Sequence, residues 1–110
     1  MNRMEETFER ALELYTRSEH EFAGGHLRLA LDTTTEAIVL LRGLTPEQPR
    51  LLARALHGAA RYLLALDRAA EALPLAREAV ELAASVGAEQ LRLACAATLA
   101  ACHRAMDDVR

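Results

Sequence analysis

Three arginines and a histidine share one side of a helix in the middle of the chain. They are Arg50, Arg54, His57 and Arg61. Intervals of four, three and four residues bring such side chains together on a helix surface. The stretch from Gln48 to Leu66 contains no acidic residue, so this side is purely basic. Because guanidinium groups bind carboxylates through paired hydrogen bonds, the spacing predicts a surface that captures an acidic segment or a C-terminal carboxylate.

A second interpretation keeps this basic side within the chain. The segment from Arg3 to Phe22 contains six glutamates and three arginines, and we expect it to form a helix beside the basic one. Glu19 occupies the position of that acidic helix that matches Arg61 when the two helices are aligned. The arginines would then complement their own neighbour instead of a ligand. The sequence leaves both interpretations open.

Catalytic and metal chemistry have little support in the sequence. All 13 basic residues are arginine, which excludes Schiff-base chemistry and a phosphate-loop lysine. His20 and His26 lie near Glu19 and Glu21, but no pair of them has the spacing of four that places two ligands on one helical face. We therefore expect no enzyme activity, no metal and no cofactor.

The composition predicts an all-α fold. Alanine and leucine, both strong helix formers, account for 23 and 20 of the 110 residues, whereas the chain has one isoleucine and four valines. Glycine, proline and aspartate divide this sequence into five predicted helices joined by short turns, which implies antiparallel neighbours. Their expected ranges are about 3–22, 26–43, 49–66, 68–86 and 88–107, within a single domain of residues 1–110.

Charge and hydropathy narrow the class of partner. The net charge of −3 gives no general attraction to nucleic acid or to an anionic membrane. The longest uncharged run, which starts at Leu93, is shorter than the roughly 20 apolar residues that span a bilayer. The N-terminus is charged where a secretory signal would be apolar. We expect a cytoplasmic protein whose partner is another protein.

Two windows of the sequence, residues 23–44 and residues 65–86, match without gaps. They share an alanine-leucine pair and a glutamate-alanine-aliphatic triplet. A turn residue, Gly25 or Asp67, occupies the same place in each window. We call the shift that places residue 23 on residue 65 the repeat offset. The match predicts a repeated unit of helix, tight turn and helix, in which stacking supplies the core that one unit lacks.

Small and apolar residues of the second unit resemble a tetratricopeptide repeat. The pattern consists of Leu56, Ala59, Ala60, Leu63, Asp67, Ala72 and Ala79. The period of about 42 residues is similar to that of extended repeats in this family. The resemblance implies a right-handed solenoid of helical hairpins, with repeat one at 3–44, repeat two at 49–87 and an unpaired half repeat at 88–108.

The same resemblance implies a function. In this family the exposed side of each first helix lines a concave groove that binds peptides or helices without catalysis. The matching positions here include Arg54, His57 and Arg61, which would face Tyr15 and Glu19. We therefore expect an adaptor or regulatory module, of the kind found in the bacterial cytoplasm. An alternative is an accessory protein that holds a small anionic ligand among the three basic residues.

The fifth predicted helix is uncharged on every side from Leu93 to Cys102. A surface helix normally has a polar side, so we expect this one to be covered on more than one side. The resemblance makes it the first helix of a repeat whose second helix is missing. The cover could come from a second copy of the chain, from a different protein or from a longer parent chain, or the mildly apolar helix could simply be exposed. With a second copy, the protein would be a homodimer or a dimerisation module. The expected contacts are Leu93, Cys95, Leu99, Cys102 and Met106, although the two cysteines also fit as small core residues.

Overall fold

A computed structural model describes residues 2–44 and 47–107, and this part of the chain forms five α-helices and no strand. Each helix end lies within one residue of the predicted position, so the all-α, five-helix prediction is confirmed there. The predicted break at Thr45 and Pro46 and the last residue of the half repeat, 108, lie outside the described residues. The helices are α1 (Arg3–Ala23), α2 (Leu27–Arg42), α3 (Pro49–Ala65), α4 (Ala69–Ser85) and α5 (Glu89–Asp107).

Local chemistry explains where the helices begin. The side chain of Asn2 accepts a hydrogen bond from the amide of Glu5 at 2.8 Å, which satisfies one of the free amides in the first turn of α1. Pro49 occupies the first turn of α3, where its missing N–H costs nothing.

No helix in the described ranges combines the length and the apolar character needed to cross a bilayer.

Three of the turns between helices have the same geometry. Each contains one residue with positive φ: Gly25 at 84°, Asp67 at 62° and Gly87 at 68°. The next residue donates its amide to the carbonyl five positions earlier, as in a Schellman turn. These bonds join His26 to Glu21 at 2.9 Å, Arg68 to Leu63 at 2.8 Å and Ala88 to Ala83 at 3.0 Å. The first two turns are related by the repeat offset, with the same donor and acceptor positions in each.

Helices that are consecutive in the chain pack on one another along their lengths, whereas α1 touches α3, and α3 touches α5, over smaller areas. Phe8 and Leu51 line one hollow at the N-terminal ends of α1 and α3, and Phe22 contacts Tyr62 near their C-terminal ends. These two helices therefore run in the same direction. The molecule measures 51 × 30 × 20 Å along its principal axes.

Residues with no solvent exposure, most of them small, allow this close packing, and they recur at the repeat offset. Between the first two repeated units, six pairs are fully buried at both positions: Ala11 and Ala53, Leu14 and Leu56, Ser18 and Ala60, Ala30 and Ala72, Thr34 and Ala76, and Ala37 and Ala79. Ser18 and Thr34 are the polar members. The Ser18 hydroxyl donates to the carbonyl of Tyr15 at 2.7 Å, and the Thr34 hydroxyl donates to the carbonyl of Ala55 at 3.2 Å. Both buried hydroxyls are thereby satisfied, as buried polar groups must be.

The last helix completes the apolar core. Cys95 of α5 belongs to a cluster that includes residues of α1, α2 and α3, and Cys102 belongs to a second cluster between α3 and α4. Both thiols are free and fully buried, and burial raises the pKa of each. They act as small core residues rather than as reactive groups.

Candidate functional site

The helices α1 and α3 carry all six of the residues predicted to bind a partner. These are Tyr15 and Glu19 on α1, and Arg50, Arg54, His57 and Arg61 on α3. The three arginines and Glu19 are exposed, whereas Tyr15 and His57 are half-buried. Arg54 lies close enough to Tyr15 for its charge to act on the phenol, so the structure brings the two helices' predicted residues together on one face. We call this surface the α1–α3 face.

Tyr15 and Glu19 bind each other. The phenol donates a hydrogen bond to Oε2 of Glu19 at 3.1 Å. Burial, followed by the neighbouring Glu19 carboxylate, raises the pKa of Tyr15 to about 12. The phenol therefore stays protonated at neutral pH, and it keeps Glu19 in place along the surface of α1.

Arg61 is held by an aromatic ring. Its guanidinium lies 4.9 Å from the centre of the Phe22 ring, a cation–π arrangement. The Phe22 ring stacks in turn on Tyr62, with 4.8 Å between ring centres, and Tyr62 is 1% exposed. The Tyr62 hydroxyl lies 3.4 Å from Oγ of Ser18. These contacts join the C-terminal ends of α1 and α3, and the sequence prediction gave Phe22 no such role.

His57 connects α3 to α5. Its Nε2 atom lies 2.8 Å from Oγ1 of Thr98, within hydrogen-bonding distance. Burial, followed by the positive charge of Arg61, lowers the pKa of His57. The imidazole is therefore neutral at pH 7 and occupied with a contact inside the protein. It adds no positive charge to the α1–α3 face.

Arg50 and Arg54 are different, because within residues 2–44 and 47–107 neither guanidinium has an ion-pair or hydrogen-bond partner. The acidic helix α1 pairs internally instead, in Arg10–Glu13 at 3.8 Å and Arg17–Glu21 at 3.6 Å. Arg61 lies on Phe22 and not on Glu19. In this part of the chain, the basic side of α3 therefore forms no ion pair with α1, as the second interpretation of the sequence would require.

An open cleft lies beside these two arginines, at the N-terminal ends of α1 and α3. It consists of two adjoining hollows of about 540 Å³ and 260 Å³ that share Phe8, Leu12 and Gln48. The lining is apolar at Met4, Phe8, Leu12, Leu44 and Leu51, and polar at Asn2, Glu5, Glu9, Gln48, Arg50 and Arg54. Sequence reasoning missed this N-terminal cleft, although Met4, Phe8 and Leu12 have the spacing of four that would indicate an apolar line on α1.

The residues predicted for self-association differ in their exposure to solvent. Cys95 and Cys102 are fully buried and contact the rest of the chain, so their side chains present no surface to a second copy. Leu99 packs against the core cluster that contains Cys102, and Met106 is half-buried. Leu93 is 55% exposed. Within this chain α5 is covered on the side of its cysteines, and the side that carries Leu93 faces solvent.

The described residues contain no group of three histidine, cysteine or acidic side chains arranged to hold a metal ion. Comparison with known proteins adds no relative: no family model, no curated protein and no solved structure matches the chain. The α1–α3 face and the N-terminal cleft are therefore the features of the chain that bear on its function.

Proposed function

We propose that this chain is a non-catalytic protein-binding module, an adaptor or regulatory scaffold that binds a peptide or a helix along the α1–α3 face. One observation carries the proposal. Arg50 and Arg54 are exposed and have no ion-pair partner in the described part of the chain, and they stand beside an apolar cleft whose lining includes the exposed Met4 and Leu12. Exposed apolar surface next to unpaired charge is typical of a binding site.

A tetratricopeptide-like arrangement is part of this proposal. The matching turns at Gly25 and Asp67 support it, as do the six pairs of fully buried residues that the repeat offset relates between the first two units. The parallel course of α1 and α3 supports it too, since corresponding helices of stacked repeats run in one direction. In that arrangement α1, α3 and α5 would line the concave side of a right-handed solenoid, and α2 and α4 the convex side.

The contacts on the α1–α3 face support binding without a chemical step. Thr98 contacts His57, and Phe22 contacts Arg61, so these two side chains of the face are held in place before a partner arrives. Such preorganisation lowers the entropy that binding costs. Because these two basic residues are engaged within the protein, the geometry favours a protein segment over a small anion held by Arg54, His57 and Arg61 together.

The test is an affinity capture with the full chain as bait, followed by mass spectrometry. We expect Arg50→Glu together with Arg54→Glu to lose the captured partners while the melting temperature stays within a few degrees of wild type, because both side chains are exposed and unpaired. Arg28→Glu is the matched control, because Arg28 is also an exposed arginine but lies on α2. Partners that bind the double variant and the wild type equally would refute the proposal.

A second candidate, self-association through α5, rests on the exposed Leu93. We expect Leu93→Asp to convert a dimer into a monomer, as measured by light scattering at tens of micromolar. Leu29→Asp on α2 is the control, because Leu29 is 52% exposed. Leu99→Asp is a poor test, since Leu99 packs on the core and its loss would unfold the region. A monomeric wild-type mass would exclude this candidate.

A further inference from the structure

The structure also indicates what kind of segment the module binds. We infer that the N-terminal cleft takes a protein segment in which a bulky apolar side chain stands next to a carboxylate: the apolar group enters the cleft and the carboxylate binds Arg50 and Arg54. This inference rests on the proposed function and assigns its specificity to one end of the α1–α3 face.

The size and the apolar lining of the cleft suit the binding of a bulky apolar side chain. Its larger hollow, of about 540 Å³, falls within the range of small-molecule sites and has ample room for a leucine or phenylalanine side chain. Met4 and Leu12, which line it, are 41% and 43% exposed, so a partner would remove apolar surface from water on both sides. Burial of a side chain of this size favours binding, because apolar surface is removed from water. An apolar anchor therefore provides binding energy that a purely acidic segment would lack.

The charges around the cleft determine how the partner's segment is oriented in it. Arg50 and Arg54 belong to the wall formed by α3, and Glu5 and Glu9 belong to the wall formed by α1. Glu5 is held by a hydrogen bond from the amide of the Asn2 side chain at 2.9 Å. A carboxylate on the partner is attracted to the α3 wall and repelled by the α1 wall. The segment must therefore present its acidic side to α3, and a lysine in place of the acid would be rejected there.

The other end of the α1–α3 face, which carries Glu19, His57 and Arg61, is less suited to distinguishing one partner segment from another. Glu19 accepts from Tyr15, His57 contacts Thr98, and Arg61 lies over Phe22. A partner that bound these groups would first have to displace contacts that the protein already makes. The two unpaired arginines require no such exchange, so recognition is expected where they meet the apolar lining.

Defined synthetic peptides test this inference directly. The probes are labelled 12-residue Ser/Gly peptides with Leu, Phe or Ala at the centre and Asp, Lys or Ser one to four positions away. Binding to the full chain is measured by fluorescence anisotropy. We expect Leu–Asp and Phe–Asp peptides to bind about tenfold more tightly than Ala–Asp or Leu–Lys peptides, since a charge-assisted hydrogen bond or a buried side chain is each worth about 1.4 kcal/mol or more. Equal binding of all peptides, or none by any, would overturn the inference.

Variants separate this inference from the proposed function. Leu12→Asp should abolish the preference for Leu over Ala, and Arg54→Glu together with Arg50→Glu should turn the preference for Asp into one for Lys. Leu29→Asp and Arg28→Glu on α2 are the matched controls and should change neither preference. If binding is lost in the Arg50→Glu, Arg54→Glu double variant but the wild type shows no preference for Leu over Ala, and Leu12→Asp changes nothing, the inference fails and the proposed function stands. If no peptide binds and affinity capture yields no partner, both fail.

Discussion

Replacement of Tyr62 tests the contact that joins α1 to α3. Tyr62 is the largest fully buried side chain of the described residues; its ring stacks on Phe22 and its hydroxyl approaches Ser18. Tyr62→Ala removes both interactions and leaves a cavity where the two helices meet. Tyr62→Phe removes the hydroxyl alone and keeps the ring.

The expected losses differ severalfold. Truncation of a large buried aromatic side chain to alanine costs about 3–5 kcal/mol of unfolding free energy, including the aromatic pair. With an unfolding entropy of about 2.1 cal/mol/K per residue, this lowers the melting temperature by about 13–22 °C. The hydroxyl contact is long, at 3.4 Å, and Ser18 keeps its bond to the carbonyl of Tyr15. Tyr62→Phe should therefore cost less than about 1 kcal/mol.

Urea unfolding followed by circular dichroism at about 10 °C measures both variants, because cooling toward the temperature of maximum stability keeps the alanine variant folded in water. Leu29→Ala, on the exposed side of α2, is the control for truncation without burial. The reasoning is refuted if Tyr62→Ala stays within about 1 kcal/mol of wild type, well short of the loss expected for a buried aromatic ring. It is also refuted if Tyr62→Phe is as costly as Tyr62→Ala, since the ring would then contribute nothing.

Two further predictions concern a turn and a histidine. Gly87→Ala should lower the free energy of unfolding in urea by about 1–2 kcal/mol, because Gly87 has a φ of 68° that alanine adopts only with strain. Gly43→Ala is the control and should be neutral or slightly stabilising, because Gly43 has a φ of −86°. Equal effects of the two substitutions would contradict the role of the turn. Burial lowers the pKa of His57 below 6.5, so as the pH falls His57 is protonated in the unfolded chain before it is protonated in the folded chain. The free energy of unfolding should therefore decline below pH 6.5 and level off below the pKa of His57 in the folded protein. His57→Gln should decline less between pH 7 and 5.5, and an unchanged slope would show that His57 is not buried as described.

The helices could be predicted closely because their ends are set by local chemistry. Positive φ at Gly25, Asp67 and Gly87 ends three helices, and the first turn of α3 accepts Pro49. These signals depend only on neighbouring residues and are visible in the sequence. The way the helices pack is not local, because crossing angles depend on which side chains meet. The alanines that carry the tetratricopeptide resemblance, Ala59, Ala60, Ala72 and Ala79, are fully buried, but the solenoid remains a proposal.

The candidate site was predictable in one respect and not in another. Helical spacing correctly placed the arginines on one exposed side of α3. It could not show that Arg61 would lie on Phe22, or that His57 would reach Thr98, because both partners come from other helices. The N-terminal cleft is a gap between two helix ends, and it exists only once they have packed.

The order in which the helices pack bears on how fast the chain folds. Its extensive interfaces join helices that follow one another in sequence, and three of the connections in the described part are turns of three residues. Loop closure across so few residues costs little entropy, so each hairpin can assemble before the rest of the chain has collapsed. Helical proteins with such local contacts fold in microseconds to milliseconds. The α1–α3 contact between Ser18 and Tyr62 joins positions that are far apart in the sequence, so it is expected to form late, after both hairpins exist.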